Sequence, residues 1–319
     1  VKAKSILILL TCCLLLNGCK AARPADPFRP EQAAPIQTLD KADGLKQKAF
    51  AADLCVCDGG SMNTDGVKAS AFALFDLTGR EVLSAENIYE RVYPASVTKI
   101  LTCLIAIERG NPDELVTVSD SIRIEVSGSS MADLRPGDRL PLRDLIYGMM
   151  VPSGNDAAVA IAEYISGSVS AFSDIMNEKA KNIGAVHSHF TNPHGLPDQD
   201  HYTTVYDLYL ILNEALKHEE FLSYASQKTY TAVIGHPSDA ALDNRQVTWV
   251  STNQFYNGNY SFPDGLHIVA GKTGHTNAAG FCLAMGERSD DNRDYISIIM
   301  KAPTYEHLYN GMRTLVNKR

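Results

Sequence analysis

Apolar residues in this chain change their period twice, and that change limits the folds open to it. Near residue 70 they fall in short blocks, Ala71 to Asp76 and Glu81 to Ser84, on either side of Thr78-Gly79. Two such blocks around a turn read as a β-hairpin. Over 142–150, 156–165, 172–183 and 205–216 they recur at three- and four-residue spacing, which predicts helices. Short blocks then return at 228–250, with a turn-rich stretch at 239–246, and at 267–274, 280–286 and 295–300. A last helix places Leu308, Met312 and Leu315 on one face. Strands at both ends with helices between predict an α+β fold. Its two ends share one antiparallel sheet flanked by helices, and an all-α lobe, about 120–220, is inserted.

Between the hairpin and the helical block stands Tyr93-Pro94-Ala95-Ser96-Val97-Thr98-Lys99, followed by Ile100, Leu101, Leu104 and Ile107 and closed by Gly110. This predicts a helix with Ser96 and Lys99 three apart on one face. A serine hydroxyl is a poor nucleophile until a neighbouring base takes its proton. Lysine, ordinarily near 10.4, serves as that base only when brought down to about 7–8, by burial or a nearby cation. Alone, the string equally fits a capping serine and a surface lysine.

The chain has 319 residues and a net charge of −8, or −10 without Lys2 and Lys4 (−8 minus 2). Such a balance argues against nucleic acid and against a basic face for anionic lipid. Lys2 and Lys4 precede an apolar run, Ile6 to Leu16, too short to span a membrane and of the length of a secretory signal. Leu16-Asn17-Gly18-Cys19 resembles a bacterial lipobox. Residues 1–18 are therefore expected to be a lipoprotein signal, with Cys19 as the lipid-bearing terminus. Residues 19–60 are expected to be a tether (Pro24, Pro27, Pro30 and Pro35 fall in it), with a short helix at 45–54. Residues 61–319 would then be the catalytic domain, exported and lipid-anchored at the outer face of the cytoplasmic membrane. Cys55, Cys57, Cys103 and Cys282 allow three disulfide pairings or none.

Three strings now stand in order: Ser96-Val97-Thr98-Lys99, Ser153-Gly154-Asn155 and Lys272-Thr273-Gly274. The first opens a helix, the second joins two helices, and the third lies on a predicted strand. Together they match the signature of penicillin-binding proteins and class A β-lactamases. Over roughly 60–319 the chain resembles the D-alanyl-D-alanine carboxypeptidases, the low-molecular-mass penicillin-binding proteins. The resemblance extends to Gly128-Ser129-Ser130-Met131, Asn192-Pro193-His194-Gly195-Leu196, His201-Tyr202-Thr203-Thr204 and Gly274-His275-Thr276. Class A β-lactamases usually carry Asp where this chain has Gly154, and their loop glutamate has no counterpart here.

What the resemblance implies is specific. The fold would be β-lactamase/transpeptidase-like. Ser96 would attack the D-Ala–D-Ala carbonyl, Lys99 would take its proton, and Ser153 would relay a proton to the leaving amine. Asn155, Lys272, Thr273, Gly274 and His275 would bind substrate, with backbone N–H groups of Ser96 and His275 around the oxyanion. Partners would be peptidoglycan stem peptides, β-lactams as covalent inhibitors, and a membrane through Cys19. No metal or organic cofactor is implied. His187, His189, His194 and His201, loosely spaced like metal ligands, fit the family's loop segments instead. Trp249 is read as packing, and Asp156 and Glu163 as cap or surface charges. Two departures stand out: the residues after Lys272 only complete the sheet, and no arginine precedes Lys272 closer than Arg245. A β-lactamase, a DD-endopeptidase and a non-catalytic wall-binding lipoprotein remain as alternatives.

Overall fold

The computed structural model describes residues 53–319 except 125, 127, 239, 240 and 242. The expected signal, Cys19 and most of the tether lie outside them, as does the 45–54 helix apart from Asp53 and Leu54, which form a turn and a bend. β1 (Ala71–Asp76) pairs antiparallel with β2 (Glu81–Glu86). A single 3-10 turn, Ala95–Thr98, runs into α1 (Lys99–Arg109). After β3 (Leu115–Thr117) and β4 (Arg139–Pro141) come α2 (Leu142–Met150), α3 (Asn155–Ser166), α4 (Val169–Asn182), α5 (Val205–Ala215) and α6 (Glu219–Ala225). β5 (Thr229–Ile234) and β6 (Arg245–Val250) form a separate two-stranded ribbon. The chain closes with β7 (Leu266–Thr276), β8 (Gly280–Ser289), β9 (Asp294–Ala302) and α7 (Tyr305–Val316).

The two ends do share a sheet, in the order β2-β1-β9-β8-β7. β1 is buried along its whole length because it is covered on both faces, so its residues read as a continuous apolar run rather than an alternation. Ala71, Ala73 and Phe75 join the core shared with α1 and α5, while Phe72 and Leu74 join Leu308, Met312 and Leu315 of α7. The result is a mixed α+β fold, a five-stranded antiparallel sheet flanked by helices, with β7 as a sheet edge.

Three local readings needed revision. β4 was hidden by the Arg135–Asp138 turn that precedes it, and it takes its strand form from pairing with β3. α6 is a short helix whose seven residues offer too few turns to show a period. α4 begins three residues before the expected 172, where the Ser168 side chain accepts from the Ala171 N–H as an N-cap. Cys55, Cys57, Cys103 and Cys282 are all free thiols. Among the described residues no helix is long and apolar enough to cross a membrane.

Candidate active site

Ser96 lies on the 3-10 turn, one residue after Ala95, whose φ of 49° is left-handed. Ser153, in the loop between α2 and α3, is left-handed too, at φ 68°. Such conformations in non-glycine residues are costly and are held only where the surrounding packing imposes them. At Ala95 that packing is Gly195, where an added Cβ would lie 1.8 Å from the Ala95 carbonyl oxygen. At Ser153 it is Gly154, whose added Cβ would come within 2.7 Å of Ala132 Cβ. This gives the physical reason that position 154 carries no side chain.

Lys99 opens α1 and is wholly buried. Its Nζ lies 2.9 Å from Ser96 Oγ, 2.7 Å from Asn155 Oδ1 and 2.8 Å from the His194 carbonyl oxygen. Burial, and then the positive charge of Lys272, push the Lys99 amine well below the ordinary lysine range, against a smaller opposing pull from Asp156. Lys272, on β7, is also buried; its Nζ donates to Ser153 Oγ (2.8 Å) and to the Thr273 carbonyl (3.0 Å). Burial brings it down to about 7. Thr273 shares a hydroxyl hydrogen bond with Thr252. Ser96, Ser153, Asn155, Thr273, Gly274 and His275 all border one cleft of about 540 Å³, with Lys99 and Lys272 beneath them. The seven expected residues of the three strings, and His275 as the eighth, therefore come together.

The loop that follows α4 builds the cleft's floor. Thr102 Oγ1 donates to the Pro193 carbonyl (2.7 Å), and His201 Nδ1 accepts from the Thr191 N–H (3.0 Å). That acceptance leaves the other His201 nitrogen as the donor to Thr98 Oγ1, 2.9 Å away. His194 Nδ1 accepts from the Leu196 N–H in the same way. Burial, first of all, holds His194 down to about 3 and His201 down to about 4, so both imidazoles stay neutral. The histidines thus shape a loop. Among the described residues the one acidic or histidine trio close enough to share a cation is Glu108, Glu214 and His218, and Lys179 and Lys217 already pair with its glutamates.

Other readings resolve as follows. Trp249 packs on Tyr230 and donates its indole N–H to the Ala132 carbonyl. Glu163 accepts from Ser119 and Ser121. Asp156 is no surface charge: it is fully buried and accepts the Ala132, Leu134 and Ala157 N–H groups, tying α3 to the cleft wall. Arg245 is held by Asp133 and Asp138 and does not border the cleft. Sequence reasoning missed two contributors. The His194 carbonyl is a backbone group and leaves no side-chain signal, and Thr252 lies in a stretch without regular structure.

A family model described as D-alanyl-D-alanine carboxypeptidase matches residues 59–304. The chain belongs to that family. D-alanyl-D-alanine carboxypeptidase DacF of Bacillus subtilis is 33% identical over 244 residues, which are 74% of this chain and 58% of that protein. The chain thus spans less than two thirds of the length of this carboxypeptidase relative. Among solved structures, the DD-transpeptidase of Streptomyces K15 superposes with a TM-score of 0.73 at 25% identity, covering 81% of this chain and 98% of that one. Penicillin-binding protein 5 from Haemophilus influenzae gives a TM-score of 0.70 at 28% identity, over 80% and 72%.

Proposed function

We propose that this chain is a serine-type D-alanyl-D-alanine carboxypeptidase. It would remove the terminal D-alanine of peptidoglycan stem pentapeptides through an acyl-enzyme on Ser96, and β-lactams would acylate the same hydroxyl. The observation that carries the reading is the setting of Lys99. A neutral amine has two N–H donors and one lone pair. Asn155 Oδ1 and the His194 carbonyl can take the two donors, which leaves the lone pair for the Ser96 hydroxyl at 2.9 Å. Burial and Lys272 favour that neutral form.

Lys99 then accepts the hydroxyl proton as Ser96 Oγ bonds to the scissile carbonyl carbon. The oxyanion is stabilised by backbone N–H groups of Ser96 and His275. As the C–N bond breaks, Ser153, held by Lys272, hands its proton to the departing D-alanine nitrogen and takes in return the proton that Lys99 accepted from Ser96, which leaves Lys99 neutral again, while Thr273 donates to the terminal carboxylate. Water then attacks the ester and Ser96 recovers its proton. Residues 1–18 are proposed as the signal, Cys19 as the lipid anchor on the outer face of the cytoplasmic membrane, and 61–319 as the peptidase domain. The absence of arginine among the described cleft residues favours, as a second reading, a DD-endopeptidase with a longer leaving branch.

The test is D-alanine release from a pentapeptide stem. The parent chain releases D-alanine, whereas Ser96→Ala and Lys99→Ala do not. Release by Ser96→Ala would remove the serine from the mechanism, and an unchanged rate for Lys99→Ala at neutral pH would give the base role to another group. A cross-linked dimer cleaved in preference to the pentapeptide would favour the endopeptidase.

A further inference from the structure

The segment from Ser130 to Leu134 starts at the cleft and has neither helix nor strand, so its backbone groups find their partners outside regular structure. The Asn155 N–H donates to the Ser130 carbonyl (2.9 Å), and Trp249 and Arg245 donate to the Ala132 and Asp133 carbonyls. The N–H groups meet on one side chain. Asp156 Oδ1 accepts from Ala132 (2.8 Å) and Oδ2 from Leu134 (3.0 Å), while Oδ1 also takes the Ala157 N–H of its own helix turn (2.9 Å). The carboxylate is wholly buried, a costly place for a charge that has no step in the reaction above.

What this clamp fixes is the place of Ala132. A Cβ on Gly154 would fall 2.7 Å from Ala132 Cβ and 2.8 Å from the Ala132 nitrogen. Gly154 is thus boxed between Ala132 and the Gly148 carbonyl, to which its own N–H donates (3.0 Å). Ser153, immediately before it, has the left-handed φ of 68°, and its Oγ accepts from Lys272 Nζ. A strained residue keeps its conformation only while its surroundings impose it. The hold on Ser153 therefore runs from Asp156 through Ala132 and Gly154.

We infer that Asp156 is a positioning residue for the proton transfer at Ser153: its carboxylate pins Ala132 against Gly154 and so keeps the Ser153 hydroxyl where it serves the leaving nitrogen. This rests on the carboxypeptidase reading, which gives Ser153 that task. The consequence is separable from folding. An amide nitrogen leaves only after it gains a proton, whereas a thiolate leaves without one. Displacing Ser153 therefore harms peptide cleavage and spares a thioester. Loss of the Asp156 charge also removes its pull on Lys99, but Lys99 activates Ser96 for both substrates, so that effect falls on the two alike.

Measuring kcat/KM of the full chain, which reports acylation, on a matched pair of substrates tests this. One is acetyl-(Nε-acetyl-lysyl)-D-Ala-D-Ala. The other is the thioester of the same acyl-D-alanine with thioglycolate, which keeps a terminal carboxylate. Asp156→Asn preserves the side chain's shape but sets an NH2 group against a backbone N–H. It should lower the peptide value about a hundredfold, the scale of a misplaced catalytic group, and leave the thioester value near the parent's. Ala132→Gly removes the pinned methyl and keeps the carboxylate. It should show the same selective loss, and it decides the matter where Asp156→Asn does not fold. Equal losses on the two substrates, or parent-like peptide cleavage by the folded variants, would overturn the assignment. A parent chain that does not cleave the peptide would instead overturn the functional reading, and the role of Asp156 with it.

Discussion

At the scale of single residues, the site depends on two lysines that burial has changed into different tools. Lys99 is pushed down first by burial and then by the charge of Lys272. Removing that charge should raise Lys99 again. Lys272→Ala is therefore expected to move the rising limb of the acylation rate against pH to higher pH, besides weakening carboxylate binding. A limb that stays in place would mean that burial alone sets Lys99. In the parent chain the same rate should fall as pH rises through about 7, where Lys272 loses its proton. Position 154 gives a second prediction. Because a Cβ there would meet Ala132 and the Gly148 carbonyl at 2.7 Å, Gly154→Ala should cost about 1–3 kcal/mol, read by urea denaturation. It should also slow acylation by displacing Ser153 and Asn155. A neutral result would show that the loop relaxes freely.

At the scale of elements, the floor loop between α4 and α5 behaves as one hydrogen-bonded piece carrying two neutral histidines. Both have folded-state values below the ordinary 6.5, at about 3 for His194 and about 4 for His201. Below pH 6.5 the unfolded chain takes up protons that the folded loop refuses, so stability falls as pH drops from 6.5 toward 4. His201→Asn should flatten that slope, measured as melting temperature against pH. An unchanged slope would place the proton uptake elsewhere. The loop also shows where sequence reasoning stops. Asn192 to Leu196 and His201 to Thr204 were legible as a segment resembling the family's, yet not as the source of a carbonyl for Lys99, because a main-chain acceptor leaves no trace in residue type. Short elements were lost for a related reason: β4 and α6 exist through their neighbours rather than through their own period.

At the scale of the whole molecule, what was legible is the arrangement that brings distant strings together. The period change predicted that the chain's ends meet in one sheet, and the pairing of β1 with β9 sets β7, through β8, in that sheet with Lys272 on it. The helical block then returns Ser153 and Asn155 to the same cleft as Ser96. Strand and helix periods are strong signals because each buries a face, whereas the left-handed conformations of Ala95 and Ser153 beside the cleft leave no period in the sequence. The account's central claim is that this convergence makes Ser96 the acylated nucleophile. Intact-mass measurement of the full chain mixed with benzylpenicillin, followed by peptide mapping, tests it directly. The account predicts one penicilloyl adduct, located on Ser96 and absent from Ser96→Ala. An adduct that persists in Ser96→Ala, or none on the parent chain, would contradict it.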